Sequence, residues 1–495
     1  MFKKILIANR GEIASRIART CRELNIQTVA IYSEADVSSP HVHAADQAIC
    51  IGPPQATVSY LNAEAIIQVA RKTGAEAIHP GYGFLSENAF FARQVESAGI
   101  TFIGPSPMSL EAVGNKIFAR QTVAKLGVPV IPALENPSSD PSILREQVHT
   151  LGYPLLIKAA AGGGGKGMRI VLQEKDLADA VAAAQREAAS AFSDGTVYVE
   201  RYLQRPRHIE VQILGDKHGT LIHLGERECS IQRRYQKILE ETPSPIISEQ
   251  LREKMTTAAL AVARGAGYYN AGTVEFILDE QGRFYFLEVN ARLQVEHPIT
   301  EWVTQLDLVR EQILVAAGEQ LRMKQEDIRG KGHAFECRVY AEDPANGFFP
   351  SPGKILAWQA PDGPGIRVDT GVEQQTDVSV YYDPLIAKLS TWGQDREQAR
   401  QRMEAALRHC VVLGPTTNVE FLLDLVAHPA FVSGDTHTGF LTEHFPQWSP
   451  HKKMHHLEAA LTAALVQSGS VQKEKVSRKG VETPWQQLGG WRMGG

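Results

Sequence analysis

Cysteine is scarce and not arranged for cross-linking: Cys21, Cys50, Cys229, Cys337 and Cys410 are odd in number and widely spaced along 495 residues. That excludes a disulfide scaffold and fits thiols kept reduced in the cytoplasm. Long apolar runs are missing too. No stretch of about 18 apolar residues occurs, so no membrane span is expected, and the run from Ile5 to Ala8 after Lys3 and Lys4 is too short for a secretory signal. Excess positive charge is also lacking. The formal net charge of -5 argues against a nucleic-acid partner. The 16 histidines show no metal-type spacing. What remains, 43% hydrophobic and 22% charged residues, is ordinary for a soluble enzyme. The length suits about two to four domains or subdomains.

Against this plain background one run is unusual. From Glu288 to Glu296 charged or amide residues alternate strictly with apolar ones, so a strand would set Glu288, Asn290, Arg292, Gln294 and Glu296 on one face. Alternation alone suits any sheet with one wet side. Two acids, two amides and an arginine, however, can bind metal, an oxyanion and a proton together. Upstream, Thr273 to Leu278 reads as a strand, Asp279 to Arg283 as a turn and Phe284 to Leu287 as the returning strand. This hairpin sets Glu275 roughly opposite Glu288. Facing carboxylates repel, and a cation between them resolves the conflict. With Asn290 the donors are all oxygens, which favours Mg²⁺ or Mn²⁺.

A phosphate site is legible elsewhere. Leu155 to Lys158 and Met168 to Leu172 read as strands around Gly162-Gly163-Gly164-Gly165-Lys166-Gly167. The dinucleotide fingerprint should open a helix, and the P-loop needs a hydroxyl residue after its lysine; neither condition holds. A glycine loop between strands can instead fold over a nucleotide, its bare N–H groups approaching phosphate oxygens.

The order of elements begins with strand Ile5 to Ala8, turn Asn9 to Gly11 and an amphipathic helix from Glu12 to Leu24 with Ile13, Ile17 and Cys21 on one side. Strand Thr28 to Tyr32 follows. Alternation of strands and helices predicts an α/β domain over 1–114, then a linking helix from Lys116 to Lys125 within 115–129, closed by Gly127 and Pro129. A lid over 130–203 carries the glycine loop and a helix from Leu177 to Ala191. Antiparallel strands build 204–446, and 447–495 holds a short helical stretch from Leu457 to Val466 and a polar tail. No internal repeat is seen.

Lys3 to Ala14, His79 to Asn88, the glycine loop and Arg292-Leu293-Gln294-Val295-Glu296-His297-Pro298 together resemble the biotin carboxylases of the ATP-grasp superfamily, over about residues 1 to 446. The resemblance implies a mixed α/β and α+β architecture: an ATP-grasp fold with a Rossmann-like N-terminal domain, a mobile lid and a C-terminal antiparallel-sheet domain. It implies that ATP phosphorylates bicarbonate and that the carboxyl group passes to a ureido nitrogen of biotin. ATP contacts would be Lys116, Lys158, Gly164, Gly165, Lys166, the hinge Glu200-Arg201-Tyr202-Leu203, His208, Gln232 and Leu278. Glu275, Glu288 and Asn290 would hold the divalent ions. Arg292, Gln294 and the backbone of Val295 would take bicarbonate, and Glu296 would be the general base. Lys237 would stabilise the transferring phosphoryl group, and Arg338 the charge developing on biotin's ureido oxygen. Tyr82 and Gly83 would help place biotin, while His297 suits either the site or a core hydrogen bond.

Two positions depart from that pattern. Tyr235 stands where His or Asn is more usual, and Ala291 replaces Thr or Ser but points away from the polar row. The stretches Val339 to Pro344 and His428 to Leu441 look like α-subunits of acyl-CoA carboxylases. No Ala-Met-Lys-Met or Val-Met-Lys-Met motif is present, so biotin is expected on a partner carrier protein, with a carboxyltransferase as second partner and a homodimer as the family's usual assembly. Trp485 and Trp491 in the polar tail suggest docking to a partner, with a disordered remnant of a longer chain as the equal alternative. The alternatives are another ATP-grasp carboxylate ligase and a nucleotide-binding pseudoenzyme; loss of a metal acid or of the base would mark the latter, and none is lost.

Overall fold

The computed structural model describes residues 1–114, 116–134, 144, 148–159, 168–192, 195–451 and 464. The glycine loop 162–167 and nearly all of the expected tail lie outside them. The chain opens with β1 (Lys4–Ile7), α1 (Gly11–Glu23), β2 (Gln27–Tyr32), β3 (Gln47–Cys50), β4 (Ala77–His79) and β5 (Thr101–Phe102). The five strands form a parallel sheet in the order β3-β2-β1-β4-β5. Ile5, Leu6 and Ile7 are all buried, as a strand covered on both faces requires. Along α1, Ile13, Ile17 and Cys21 face inward, one helical side as their spacing predicts.

Helix α2 (Lys116–Lys125) ends ahead of Gly127, whose φ of +76° suits glycine. A small antiparallel sheet follows, β6 (Leu155–Ala159), β7 (Arg169–Val171) and β8 (Val197–Arg201), ordered β7-β6-β8. Helix α3 (Leu177–Phe192) packs on it, sharing a separate apolar cluster with Leu155, Ile157, Val197 and Val199.

The main sheet contains β9 (Arg207–Gly215), β10 (Leu221–Arg233), β11 (Gln236–Thr242), β12 (Asn270–Leu278) and β13 (Phe284–Asn290). Helix α4 (His297–Thr304) follows, then β14 (His333–Tyr340), β15 (Ile366–Thr370) and β16 (Leu385–Gly393). The order is β13-β12-β9-β10-β11-β14-β16-β15, with antiparallel pairing throughout. Helix α4 crosses β10, β11, β14 and β16. Polar rows on these strands therefore meet under it.

Candidate active site

The hairpin puts Glu275 directly opposite Glu288, and Thr273 opposite Asn290. Phe276 pairs with Phe286, so Leu287 is an extra residue that shifts the register by one. The expected strand through Glu296 is corrected here: β13 stops at Asn290. The N–H of Ala291 donates to Glu87 Oε1 at 2.9 Å instead of to a ladder partner. Glu296 already has φ -80° and ψ 9° as the residue capping α4, with Pro298 in that helix's first turn, where proline favours helix entry over strand. The polar row is thus part strand and part turn. Asn290, Arg292, Gln294 and Val295 still line one cleft of about 1620 Å³ together with Glu275 and Glu288.

At the centre Lys237 on β11 reaches three acids. Its Nζ lies 2.5 Å from Glu210, 2.8 Å from Glu275 and 2.7 Å from Glu296. Burial alone would favour loss of its proton, but the three carboxylates hold its pKa well above the usual range. Burial pushes Glu296 the other way, yet Lys237, Arg338 and Arg227 outweigh it and keep the acid ionised, well below its ordinary value. Glu275 is likewise held down against burial by Lys237 and His208, whose Nε2 is 3.0 Å from its other oxygen. The second oxygen of Glu296 lies 3.0 Å from Arg338 Nη2. Arg338 Nε donates to Glu240 at 2.7 Å.

Beside them Arg292 is spread across the side chains of Glu87 at 2.9 Å, Gln294 at 2.9 Å and Asn290 at 3.0 Å and the carbonyl of Leu293 at 3.2 Å. Its planar fork suits an anion of carboxylate shape. Gln294 Nε2 also donates to Glu275 at 3.3 Å. Glu275, Glu288 and Asn290 offer only oxygens, lie adjacent across two strands and line the cleft, so the donor set fits a hard divalent cation.

Toward the other end, Lys158 pairs closely with Glu200, which also faces Arg120 at 3.8 Å. Glu200, Arg201, Tyr202 and Leu203 line the cleft, as do His208 and Gln232, whose side chains meet at 2.6 Å. Leu278 is 1% exposed and packs in the core. Its neighbour Ile277 lines the cleft instead, since successive strand residues face opposite ways. Lys116 opens α2, and Gly164, Gly165 and Lys166 fall outside the described residues. Tyr82 and Gly83 line the cleft. The Tyr82 hydroxyl donates to Glu12, and Asn9 Nδ2 donates to the carbonyls of Pro80 at 2.7 Å and Tyr82 at 2.8 Å. His297 belongs to the core: it is fully buried, and its Nδ1 donates to the Gln294 carbonyl at 2.7 Å. Tyr235, at φ +67°, is exposed on the turn between β10 and β11.

Several members were not expected from the sequence. Arg227, fully buried, donates to Glu210 at 2.5 Å, Gln212 at 2.7 Å and Thr300 at 2.8 Å. The period-2 row His208, Glu210, Gln212 on β9 was the available signal. Lys388 donates to the Val295 carbonyl at 2.8 Å and lies 3.2 Å from Glu12. Nothing in its local sequence marked it.

Residues 1–110 match the biotin carboxylase N-terminal domain, 115–324 the ATP-binding domain of the carbamoyl-phosphate synthase L chain, and 336–443 the biotin carboxylase C-terminal domain. A biotin carboxylase of Bacillus subtilis is 50% identical over 89% of this chain and 98% of its own length. The mitochondrial methylcrotonoyl-CoA carboxylase α-subunit of Dictyostelium discoideum is 49% identical over 99% of this chain and 70% of its own. Among solved structures, the biotin carboxylase domain dimer of Hydrogenobacter thermophilus 2-oxoglutarate carboxylase, in complex with MgADP, ADP and bicarbonate, aligns with a TM-score of 0.87 at 46% identity, covering 91% of this chain and all (100%) of that one.

Proposed function

The chain belongs to the biotin carboxylase family, whose members are ATP-dependent ligases, and from that premise we propose how its residues divide the work. The carrying observation is the Glu296 carboxylate held between Lys237 and Arg338. Such an arrangement keeps a base ionised until a substrate claims one of its cations.

Bicarbonate is a poor electrophile and needs activation. It would sit against Arg292, Gln294 and the N–H of Val295, with Glu296 taking its proton as an oxygen attacks the γ-phosphorus of ATP, which releases ADP and leaves carboxyphosphate. Lys237 would turn from its carboxylates to the phosphoryl oxygens, and the loss of that contact makes Glu296 a stronger base. ATP would lie along Lys116, Lys158, the hinge Glu200 to Leu203, His208 and Gln232, under the loop carrying Gly164, Gly165 and Lys166. Glu275, Glu288 and Asn290 would hold Mg²⁺ or Mn²⁺, which neutralises phosphate charge when bound. Biotin would meet Tyr82, Gly83 and Arg338, whose guanidinium would stabilise charge on the ureido oxygen while the carboxyl group of carboxyphosphate moves to nitrogen, its bond to the phosphate oxygen breaking and the ureido N–H proton passing to the departing phosphate.

In this reading 1–114, 115–129, 130–203 and 204–446 are the N-terminal domain, linker, lid and C-terminal domain, and 447–495 a linking tail. Biotin arrives on a carrier protein, and a carboxyltransferase passes the carboxyl group to an acyl-CoA. The subunit works as a homodimer in the cytoplasm; among the described residues no helix is long and apolar enough to cross a membrane. The test is ATP hydrolysis by the purified chain with Mg²⁺. Dependence on bicarbonate, with acceleration by free biotin, is expected, and hydrolysis indifferent to bicarbonate would overturn the reading.

A further inference from the structure

One buried acid beside Arg338 has no role in that scheme. Glu336 on β14 is fully buried and faces Glu240 on β11 and Ser390 on β16 in direct register. Arg338 follows two residues along the same face, opposite Lys388, which itself faces Asp369 on β15. Helix α4 covers this face and brings His297 and Glu301.

Every cation in the layer is already engaged. Arg338 is bound to Glu240 and Glu296 at 2.7 and 3.0 Å, and Lys388 to the Val295 carbonyl and Glu12 at 2.8 and 3.2 Å. Arg367 holds Glu301 at 2.6 Å and Asp369 at 2.7 Å. Ser390 Oγ takes the Trp302 indole N–H at 3.1 Å. Burial keeps His297 neutral, its pKa well below the ordinary value. Among the described residues no donor meets either oxygen of Glu336 or the second oxygen of Glu240. A bare carboxylate here would carry a desolvation cost of about several kcal/mol, whereas a protonated acid carries little of it. Burial indeed pushes Glu336 well above the ordinary range, Lys388 opposing and Glu240 reinforcing it.

We infer that Glu336 is a positioning residue that works as a neutral acid: by keeping its proton it leaves Glu240 free to hold Arg338 and Lys388 free to hold the peptide of Val295. An ionised Glu336 would draw both cations toward itself. Arg338 would then leave the position proposed for biotin, and Val295 the one proposed for bicarbonate. This rests on the biotin carboxylase reading for its effect on turnover, though not for the proton itself.

The test is Glu336→Gln in the full chain, which keeps the shape and removes the titration. In infrared spectra at neutral pH the parent should show a protonated-carboxyl carbonyl component that Glu336→Gln lacks. Free-biotin carboxylation by the variant should stay within about twofold of the parent near neutrality, as expected when a neutral group replaces a neutral group. It should also persist further into the alkaline range. An unchanged infrared band, or a loss of about tenfold or more at neutral pH, the scale of a missing charge partner, would overturn the assignment. Glu336→Leu guards against a folding artefact, since a site that holds a neutral acid should accept an apolar side chain of similar size; if both variants fail to fold, the site needs the anion and the proposal fails. Loss of the band with no biotin carboxylation by either chain would overturn the functional reading and leave the proton in place.

Discussion

Two sets of buried glutamates around the same cleft region are driven in opposite directions. Around Lys237, Glu275 and Glu296 are held well below their ordinary value because that ammonium, with His208 or Arg338, outweighs burial. Around Lys388, burial outweighs the cation, and Glu12 is pushed up to about 7. Glu240 reaches about 7 as well, with Arg338 too weak an offset and Glu296 adding repulsion. Burial is common to both sets. The difference lies in what each acid meets: Glu275 and Glu296 each touch two basic groups, whereas Lys388, the cation beside Glu12, spends its shortest contact on a backbone carbonyl, and Glu210, though it touches Lys237, is raised because repulsion from Glu296 and Glu275 adds to burial.

Removing the shared cation should separate the two sets most sharply. Lys237→Met leaves Glu210 and Glu296 in the interior with one partner fewer, and breaking such a buried pair should cost about 3–5 kcal/mol. Chemical denaturation would read that loss alongside the collapse of bicarbonate-dependent ATP hydrolysis. An unchanged midpoint would mean that Lys237 is not what stabilises these acids. A smaller change is Glu296→Gln, which keeps the shape but removes the base. Bicarbonate-dependent turnover should fall by roughly 10² to 10⁴ while ATP-analogue binding persists; near-normal turnover would remove Glu296 from the base role.

The mildest test concerns the raised set. Glu12 moves from 4.5 to about 7 on folding, so between those values the folded chain holds a proton the unfolded chain has lost. The stability it lends is present below the lower value and is lost as pH rises through the upper one. Glu12→Gln should therefore gain melting temperature relative to the parent between about pH 5 and about pH 8. A difference that stays flat across that window would mean Glu12 titrates normally.

The hairpin was the most legible part of the molecule. Two β-rich runs around a turn at Asp279 to Arg283 fix the pairing as far as Phe276 with Phe286, because short-loop hairpins leave little freedom of register, but Glu275 meets Glu288 only through the bulge at Leu287, which the sequence did not mark. What period-2 alternation could not reveal was the end of β13. Beyond Asn290 the spacing still reads as strand, but Glu87, distant in sequence, captures the Ala291 N–H, and local pattern carries no trace of such a partner. Lys388 and Glu336 were hidden for a related reason. Lys388 looks like a lone charge in an apolar strand and Glu336 like an ordinary neighbour of Arg338, and each gains meaning only from register with its neighbours. Lys237, Glu296 and Arg338 came from the family resemblance, and the fold brings all three within one chain of contacts.

Glu296 and Arg338, 3.0 Å apart, are assigned to successive steps, and that division can be broken in one experiment. It is tested most directly by measuring bicarbonate-dependent ATP hydrolysis and free-biotin carboxylation side by side in Arg338→Ala. The account predicts that carboxylation falls by about 10²-fold or more, as for loss of one oxyanion-stabilising donor, while hydrolysis is largely spared. Equal loss of both activities would place Arg338 in the phosphoryl step and contradict it.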